Sequence, residues 1–546
     1  MTPDELSAAI RACLVTAVAE GDLTTAVPDE IRVERPKQRE HGDWATNIAL
    51  QLAKQAGRPP REIAQLLATK LGELPGIKSV DVAGPGFLNV VLEAGAAGEL
   101  VRTVVEAGAS YGHNTLLAGH VINLEFVSAN PTGPLHIGHT RWAALGDSLG
   151  RLLSASGASV TREFYVNDAG AQMDRFGASV LARLRGTEMP EGGYPGEYIA
   201  ELALAVREQR PDVDELPDDE ALVVARDLAY EIQIGENRQT LADFGVTFDV
   251  WFSEASLHAS GAVEQAVARL REQGHVFDEG GAVWLRTTDF GDDKDRVMIK
   301  ADGDTTYFAS DAAYYLSKKD RGFPEKIYLL GADHHGYVQR LKAIAACAGD
   351  DPETSIEVLI GQLVSVGGAK LSKRAGNIIE LRDLVAWLGK DAVRYSLARY
   401  PADSPLTLDG EVLRKRSNDN PVFYVQYAHA RLCSVQRQAA EHHVDRSVFE
   451  PGLLEHPTES ALIAALAQFP ALVAHAAEVR EPHRVARHLE VLAGAFHKWY
   501  DECRVTPKGE DPVTDVHRTR LWLADATRIV LANGLDLLGV DAPERM

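Results

Sequence analysis

Two histidines, His136 and His139, stand three residues apart where an apolar strand gives way to a helix. The run Val121-Ile122-Asn123-Leu124-Glu125-Phe126-Val127 is β-branched and apolar enough for a buried parallel strand, and Leu145, Leu149, Leu152 and Leu153 mark one face of the helix that follows. The histidines therefore open that helix. Its first-turn N–H groups lack intrahelical partners and carry the positive end of the macrodipole, so an anion is favoured there. Imidazoles at i and i+3 share a face and can both donate to phosphate oxygens. With Gly133 and Gly138 permitting close approach, Pro131, Thr132, Gly133, Pro134, His136, Gly138 and His139 form a candidate nucleotide-phosphate site. Zinc is the competing use of paired histidines, and the sequence disfavours it. No His-Glu-x-x-His occurs, no third ligand lies nearby, and Cys13, Cys347, Cys433 and Cys503 are too scattered for a Cys-x-x-Cys site. No bound metal is expected.

Far downstream, Lys370 and Lys373 lie between Gly367-Gly368 and Gly376, a composition that suits a phosphate clamp. Two ammonium groups reaching the β- and γ-phosphates of a nucleotide would offset the charge that develops as the α-phosphate is attacked. Lysine-rich loops are otherwise ordinary surface, so it is the pairing with the histidine motif, in this chain order, that gives these two weight. Together the His136-Ile137-Gly138-His139 and Lys370-Leu371-Ser372-Lys373-Arg374 elements resemble the paired signatures of class I aminoacyl-tRNA synthetases. The second usually reads Lys-Met-Ser-Lys-Ser. Leu371 keeps an apolar anchor of similar volume, and Arg374 adds a cation.

Further stretches narrow the resemblance to the arginyl-tRNA synthetases. They are Tyr165-Val166-Asn167-Asp168-Ala169-Gly170-Ala171-Gln172, Tyr307-Phe308-Ala309-Ser310-Asp311, Gly331-Ala332-Asp333-His334-His335-Gly336-Tyr337, Asp391-Ala392-Val393-Arg394 and the ending Ala542-Pro543-Glu544-Arg545-Met546. Near the start, His41-Gly42-Asp43-Trp44-Ala45-Thr46-Asn47 and Gly84-Pro85-Gly86-Phe87-Leu88-Asn89 are similar to that family's extra N-terminal domain. The resemblance implies ATP-dependent activation of L-arginine, with Mg²⁺ accompanying ATP, and transfer to the terminal adenosine of tRNA, with tRNA needed for activation. It puts Glu125, Asn130, Tyr307 and Asp311 at the amino-acid pocket.

The chemistry of arginine gives an independent check, because a planar, permanently charged guanidinium is best selected by a carboxylate accepting two parallel N–H bonds. Asp311 lies one helical turn after Tyr307, so both can face one ligand. Asp311 is expected at the guanidinium, Tyr307 as a wall or hydrogen-bond partner, and Asn130 with Glu125 at the α-amino end. Each has a plainer alternative: structural hydrogen bonding for Glu125 and Asn130, core packing for Tyr307, a helix cap for Asp311. His335 follows the strand Ile327-Tyr328-Leu329-Leu330, at the edge where open α/β sheets bind ligands, and is a weaker candidate for adenosine or arginine contact. Two rival classes keep the histidine motif: a catalytically silent RNA-binding relative, and a small-molecule nucleotidyltransferase, which would not need a helical C-terminal domain.

The elements that must hold these residues follow from pattern. The chain has 546 residues, 45% of them hydrophobic, enough for three or four domains. Residues 1–115 alternate helical stretches (Ile10 to Val18, Ile48 to Leu52, Ile63 to Leu71) with short strands near Val80 to Val82 and Leu88 to Leu92, a small α+β domain. Residues 116–390 read as a doubly wound, Rossmann-like parallel-sheet catalytic domain, with 187–285 inserted where prolines, glycines and an acidic run break the pattern. Residues 391–546 read as an all-α bundle, with apolar positions at Leu462, Leu466, Leu472 and Val473 and again at Leu489, Val491, Leu492 and Phe496. The resemblance implies that this bundle binds the anticodon and that the N-terminal domain meets the tRNA's outer corner. On the bundle, Tyr427 and Arg431, four apart, are the RNA-binding candidates; Phe423 is expected in the core, and Trp499 and Tyr500 fit either role.

Net charge is −23, from 56 Lys and Arg against 79 Asp and Glu. Such acidity suppresses indiscriminate RNA binding without forbidding a local basic face. Arg35, Lys37 and Arg39, the Lys370 to Arg374 segment, and Arg414-Lys415-Arg416 are the candidates for one. Four unclustered cysteines, an acidic N-terminus with Thr2 and Glu5 placed for a capping box, and no run read as long enough to cross a bilayer point to a cytoplasmic protein without membrane contact. A monomer is expected.

Overall fold

The computed structural model describes residues 3–36, 41–367 and 379–546. Leu6, Ile10, Leu14 and Ala17 recur at helical spacing on Pro3–Ala19, and all are fully buried. Thr2, read as that helix's cap, lies outside the described residues. With the helices Ile48–Ala56 and Pro60–Gly72 it covers a three-stranded antiparallel sheet ordered β1-β3-β2, formed by β1 (Trp44–Thr46), β2 (Ile77–Ala83) and β3 (Phe87–Leu92). The turn between β2 and β3 needs Gly86, whose φ is +144° and where a Cβ would lie 2.9 Å from Pro60.

The middle region is built on five parallel strands. In chain order they are β4 (Val121–Glu125), β5 (Ser159–Val166) and β6 (Val250–Ser253), then, beyond a small antiparallel sheet of β7 (Val276–Glu279), β8 (Ala282–Leu285) and β9 (Arg296–Ile299), β10 (Glu325–Gly331) and β11 (Ile356–Gly361). Their spatial order is β11-β10-β4-β5-β6, so the winding reverses between β4 and β10. Open sheets of this kind take ligands outside the carboxyl ends of their strands at such a switch point. The turn carrying His136 leaves β4 there. The stretch 187–285, read above as inserted, is not wholly separate from the sheet. Its helices Glu197–Gln209 and Asp218–Asp243 pack with Ala171–Arg185 around a core of their own, but Val250–Ser253 returns as the sheet's edge strand, paired with β5.

Residues 391–546 likewise begin with more than helices. A strand, β13 (Leu406–Asp409), pairs in parallel with β12 (Val364–Gly367). The bundle proper contains the helices Pro421–Glu441, Pro457–Ala467, Phe469–Glu478, His483–Glu502 and Asp515–Leu537. Leu462, Leu466, Val473, Leu489, Leu492 and Phe496 are fully buried there, whereas Val491 is 61% exposed and belongs to the outer face. One stretch, Pro457–Glu478, is long and apolar enough by composition to cross a membrane, contrary to the reading above. It breaks into two helices at Gln468, with Pro470 in the first turn of the second, and its apolar face is spent on the bundle core.

One buried cation ties these parts together. Arg394 donates to the Asp147 carboxylate at 2.5 Å, to the carbonyls of Phe244 and Gly245 at 3.0 and 3.2 Å, and from Nε to the carbonyl of Leu538 at 3.2 Å. It thus joins the histidine helix, the long inserted helix and the end of the bundle, with both ionised partners essentially out of water. Gly539, at φ +64°, leaves the space its guanidinium fills. Arg394→Ala leaves the buried Asp147 with Arg151 alone as its close donor, at 2.8 Å, and takes the donor from the carbonyls of Phe244, Gly245 and Leu538, so it is expected to cost about 3 kcal/mol. A lowered denaturation midpoint checks this; wild-type stability would contradict it.

Candidate functional site

Two non-glycine residues with positive φ, Val127 (+69°) and Ser128 (+42°), redirect the chain as it leaves β4. A β-branched residue rarely adopts that conformation, and such strain persists only where surrounding contacts enforce it. Ser128 supplies one, since its hydroxyl donates to Glu125 at 3.1 Å and accepts from the Tyr165 amide at 3.2 Å. The loop beyond rests on the inserted helices: Tyr198 donates to the Thr132 carbonyl at 2.9 Å and Asn237 to that of Gly133 at 3.2 Å. Thr132 and Pro131 are buried, while Asn130 is exposed on the rim.

His136 is the N-cap of the helix Ile137–Ala155. Its Nδ1 accepts from the Gly138 amide at 3.1 Å, and its own amide donates to Nδ1 of His139 at 3.3 Å, with the rings 4.0 Å apart. Both Nδ1 atoms therefore act as acceptors, so each neutral ring carries its proton on Nε2. Burial lowers the pKa of His136, and burial with the neighbouring His136 holds His139 down to about 3. These are uncharged donors at neutral pH. The glycines also find their reason here: a Cβ on Gly138 would lie 2.9 Å from the His136 ring, and one on Gly133 would lie 3.2 Å from the Tyr198 hydroxyl. The close approaches they allow are made by side chains of the chain itself.

Lys370 and Lys373 lie outside the described residues, but both flanks of their segment are fixed. It departs from β12 at Gly367, and on return the Ile379 carbonyl accepts from the Ile137 amide at 2.9 Å while the Leu381 amide donates to Leu135 at 2.8 Å. The histidine turn is thus paired through its backbone with the chain that follows the lysine segment.

Beside the turn, carboxylates divide into two kinds. Glu163 on β5 is fully buried and saturated, accepting from Asn123 (2.8 Å), Tyr314 (2.6 Å) and both forks of Arg321 (2.7 and 2.9 Å). Burial opposes its ionisation, but Arg321, Lys318 and Tyr314 outweigh that and hold its pKa below the usual range. Glu125 pairs at 2.5 Å with the buried Lys318 on the helix Tyr307–Asp320. Glu254 and Asp311 are different. Glu254 is 3% exposed, and its Oε2 has no hydrogen-bond partner among the described residues. Burial, then the charge of Asp168, pushes it up to about 7. Asp311 accepts from the Tyr337 hydroxyl. Burial, then Glu254 and Glu125, pushes it up to about 8, against the opposing charge of Arg340. In sum, this corner holds more negative charge than its own cations neutralise.

Asp311 does not cap its helix; Thr306 does, accepting from the Ala309 amide. Tyr307 is not core, being 72% exposed with its hydroxyl over Gly170. Tyr307, Ser310, Glu254, His258 and Asp168 line a cavity of about 1080 Å³. His335 lies on the short 3₁₀ segment Ala332–Tyr337, and its side chain is outside the described part. Sequence reasoning missed Glu254, Glu163 and Lys318. The available signal for Glu254 was a carboxylate immediately after Val250-Trp251-Phe252-Ser253, at the carboxyl end of a strand.

On the bundle, Tyr427 and Arg431 come together on a surface. The Tyr427 ring stacks on Phe423 (5.9 Å, 7°) and on His497 (6.0 Å), and Arg431 sits 4.0 Å over the Tyr500 ring. Phe423, expected in the core, is only half-buried, because its turn of the helix faces outward with Tyr427. Trp499 is fully buried, so of the ambiguous pair only Tyr500 reaches this face.

Comparison with known proteins follows the same division. Residues 4–92 match the arginyl-tRNA synthetase N-terminal domain, 103–395 the catalytic domain of class I (R) tRNA synthetases, and 425–546 the DALR anticodon binding domain. The chain is 70% identical to the arginine–tRNA ligase of Paenarthrobacter aurescens and 68% identical to that of Pseudarthrobacter chlorophenolicus, in each case over 100% of both chains. Its fold is similar to that of Thermus thermophilus arginyl-tRNA synthetase, at 24% identity and a TM-score of 0.76 over 100% of both chains.

Burial and neighbouring charge favour the protonated forms of Asp311 and Glu254 near neutrality, whereas a guanidinium bound between them would need both ionised. Cation binding therefore displaces protons, and affinity must rise with pH. Between pH 6 and pH 8 arginine affinity is expected to strengthen by about tenfold to a hundredfold per unit, most steeply below pH 7, and then level off. Titrating arginine across this range checks it; a flat profile would contradict the assignment.

Proposed function

The chain belongs to the arginyl-tRNA synthetases and charges tRNA with arginine, and we propose how its residues divide that work. The arginine carboxylate attacks the α-phosphate of ATP, forming the arginyl-adenylate anhydride bond as the bond to pyrophosphate breaks. The 2′-hydroxyl of the terminal adenosine then attacks the arginyl carbonyl and AMP leaves. His136 and His139 donate from Nε2–H to phosphate oxygens at the helix N-terminus, within the loop Pro131 to Pro134. Lys370 and Lys373 draw charge toward the β- and γ-phosphates, and Mg²⁺ arrives on those phosphates with ATP. The backbone pairing of the lysine segment's return to the histidine turn supports this joint use.

Asp311 and Glu254 take the guanidinium, with Tyr307 closing over it from the rim. The observation that carries this is the buried carboxylate oxygen of Glu254, which lacks a hydrogen-bond partner among the described residues and stands beside a second carboxyl held protonated by its surroundings. Asn130 serves the α-amino end. Glu125, with two acceptor sites beyond Lys318 and Ser128, stands behind it. His335 is a further candidate for the nucleoside or the amino acid. Tyr427 and Arg431, with Phe423, His497 and Tyr500, offer unstacked anticodon bases an aromatic and cationic platform.

We place the working domains at 1–115, 116–390 and 391–546. Four buried free cysteines support a reducing, cytoplasmic setting, in which we expect the chain to work as a monomer. Arginine-dependent ATP–pyrophosphate exchange is the deciding assay. It is expected near background without tRNA and strong with cognate tRNA; exchange in RNA-free protein would refute the dependence. Under the permissive condition Lys373→Ala and His139→Ala are expected to lose about a hundredfold to a thousandfold in kcat with arginine affinity retained. Unchanged turnover in either would remove that residue from the transition state.

A further inference from the structure

The turn between β13 and the helix Pro421–Glu441 presents Arg414, Lys415 and Arg416, all exposed. Among the described residues none of the three forms an ion pair. By contrast Arg399, Arg480, Arg518 and Arg520 of the same region each hold a carboxylate. The turn is also held in advance of any ligand. Asn420, 4% exposed, donates to the carbonyls of Leu413 and Lys415 at 2.9 and 3.0 Å, and the Lys415 amide donates to Val412 at 3.0 Å. Asn420 is in turn the N-cap position of the helix that carries Phe423, Tyr427 and Arg431.

These three cations line a cavity of about 470 Å³ whose wall continues onto Phe423. The acids on that wall are already engaged, Asp391 with Gln426 at 2.8 Å and Asp541 with Lys390 at 2.9 Å. What faces the cavity is therefore net positive, and the N-terminus of a long helix adds to it. From Asn420 to Tyr427 is roughly 10 Å along the helix axis, so a strand with bases on the aromatic platform brings neighbouring phosphates to the turn.

We propose that Arg414, Lys415 and Arg416 form a sequence-independent phosphate contact for the tRNA strand whose bases rest on the Tyr427 platform. The inference rests on that platform's reading as the RNA face. Arginine forks match phosphate oxygens, and a preset turn loses little freedom on binding. A polyanion approaching a chain of net charge −23 gains most where cations stand unneutralised.

The triple variant R414A/K415A/R416A alters only exposed side chains, and its thermal unfolding is compared with wild type to establish that it folds. Fluorescence anisotropy then measures binding of cognate tRNA and of a tRNA with another anticodon across a range of KCl concentrations. The expected result is an equal loss for both tRNAs, about tenfold to a hundredfold at 0.1 M salt, with the slope of log K against log salt reduced by about 2. R414K/R416K, which keeps the charge, should retain most of the affinity and slope. Wild-type affinity and slope in the triple variant would overturn the proposal, and so would a loss confined to the cognate tRNA. Tyr427→Ala separates the two readings: if it leaves both affinities intact while the triple variant weakens both, the platform fails and the phosphate contact stands.

Discussion

Everything at the centre of this protein depends on holding ionised groups out of water at the carboxyl end of a parallel sheet. Moving a carboxylate into such a place costs several kcal/mol, recovered only when donors saturate it. Glu163 is the saturated case, with four donor contacts and no exposure. Around it Lys318 lies 4.4 Å over the ring of Tyr314 and 4.1 Å over that of Tyr328, while reaching Glu125 with its ammonium. This network fixes β4, β5, β10 and the helix Tyr307–Asp320 relative to one another. Glu254 and Asp311 stand beside it with only Arg340 opposing their raised pKa values, and that only at Asp311. On the proposed assignment an arriving guanidinium supplies the charge that lets both carboxyls ionise.

The phosphate side of the site is organised by other means. Its donors are uncharged, positioned by hydrogen bonds within the helix's first turn, and brought close by glycines that admit a neighbouring ring. Helix and sheet approach at the same expense: a Cβ on Gly146 would lie 2.3 Å from the Phe126 ring, and one on Gly361 would fall on Trp142. Such preorganisation matters because donors that need not reorient stabilise a developing charge at least cost. The inserted helices contribute at a distance, through Tyr198 and Asn237 beneath the loop, and Arg394 connects that support to the bundle. A domain that binds RNA is therefore mechanically continuous with the chemistry.

What the sequence disclosed follows from how local each signal is. The histidine turn and the helix after it are short-range patterns, legible from spacing. The partners of Glu163 are not, since Arg321 and Tyr314 meet it across more than 150 positions. Phe423 was misplaced because helical periodicity alone cannot say which of two faces is covered. Val250–Ser253 was assigned to an insertion because a four-residue strand after acidic helices and proline-bearing loops carries little pattern of its own. Pro457–Glu478 shows the converse, an apolar run whose burial depends on what surrounds it.

The central claim is that the pocket selects arginine through carboxylates kept protonated until the guanidinium arrives. Calorimetric titration at pH 7, in buffers of different ionisation enthalpy and with tRNA present, counts the protons released on binding. Arginine is expected to release about one to two, and citrulline, its neutral isostere, none with far weaker binding. Equal proton counts for the two ligands, or none for arginine, would contradict the account.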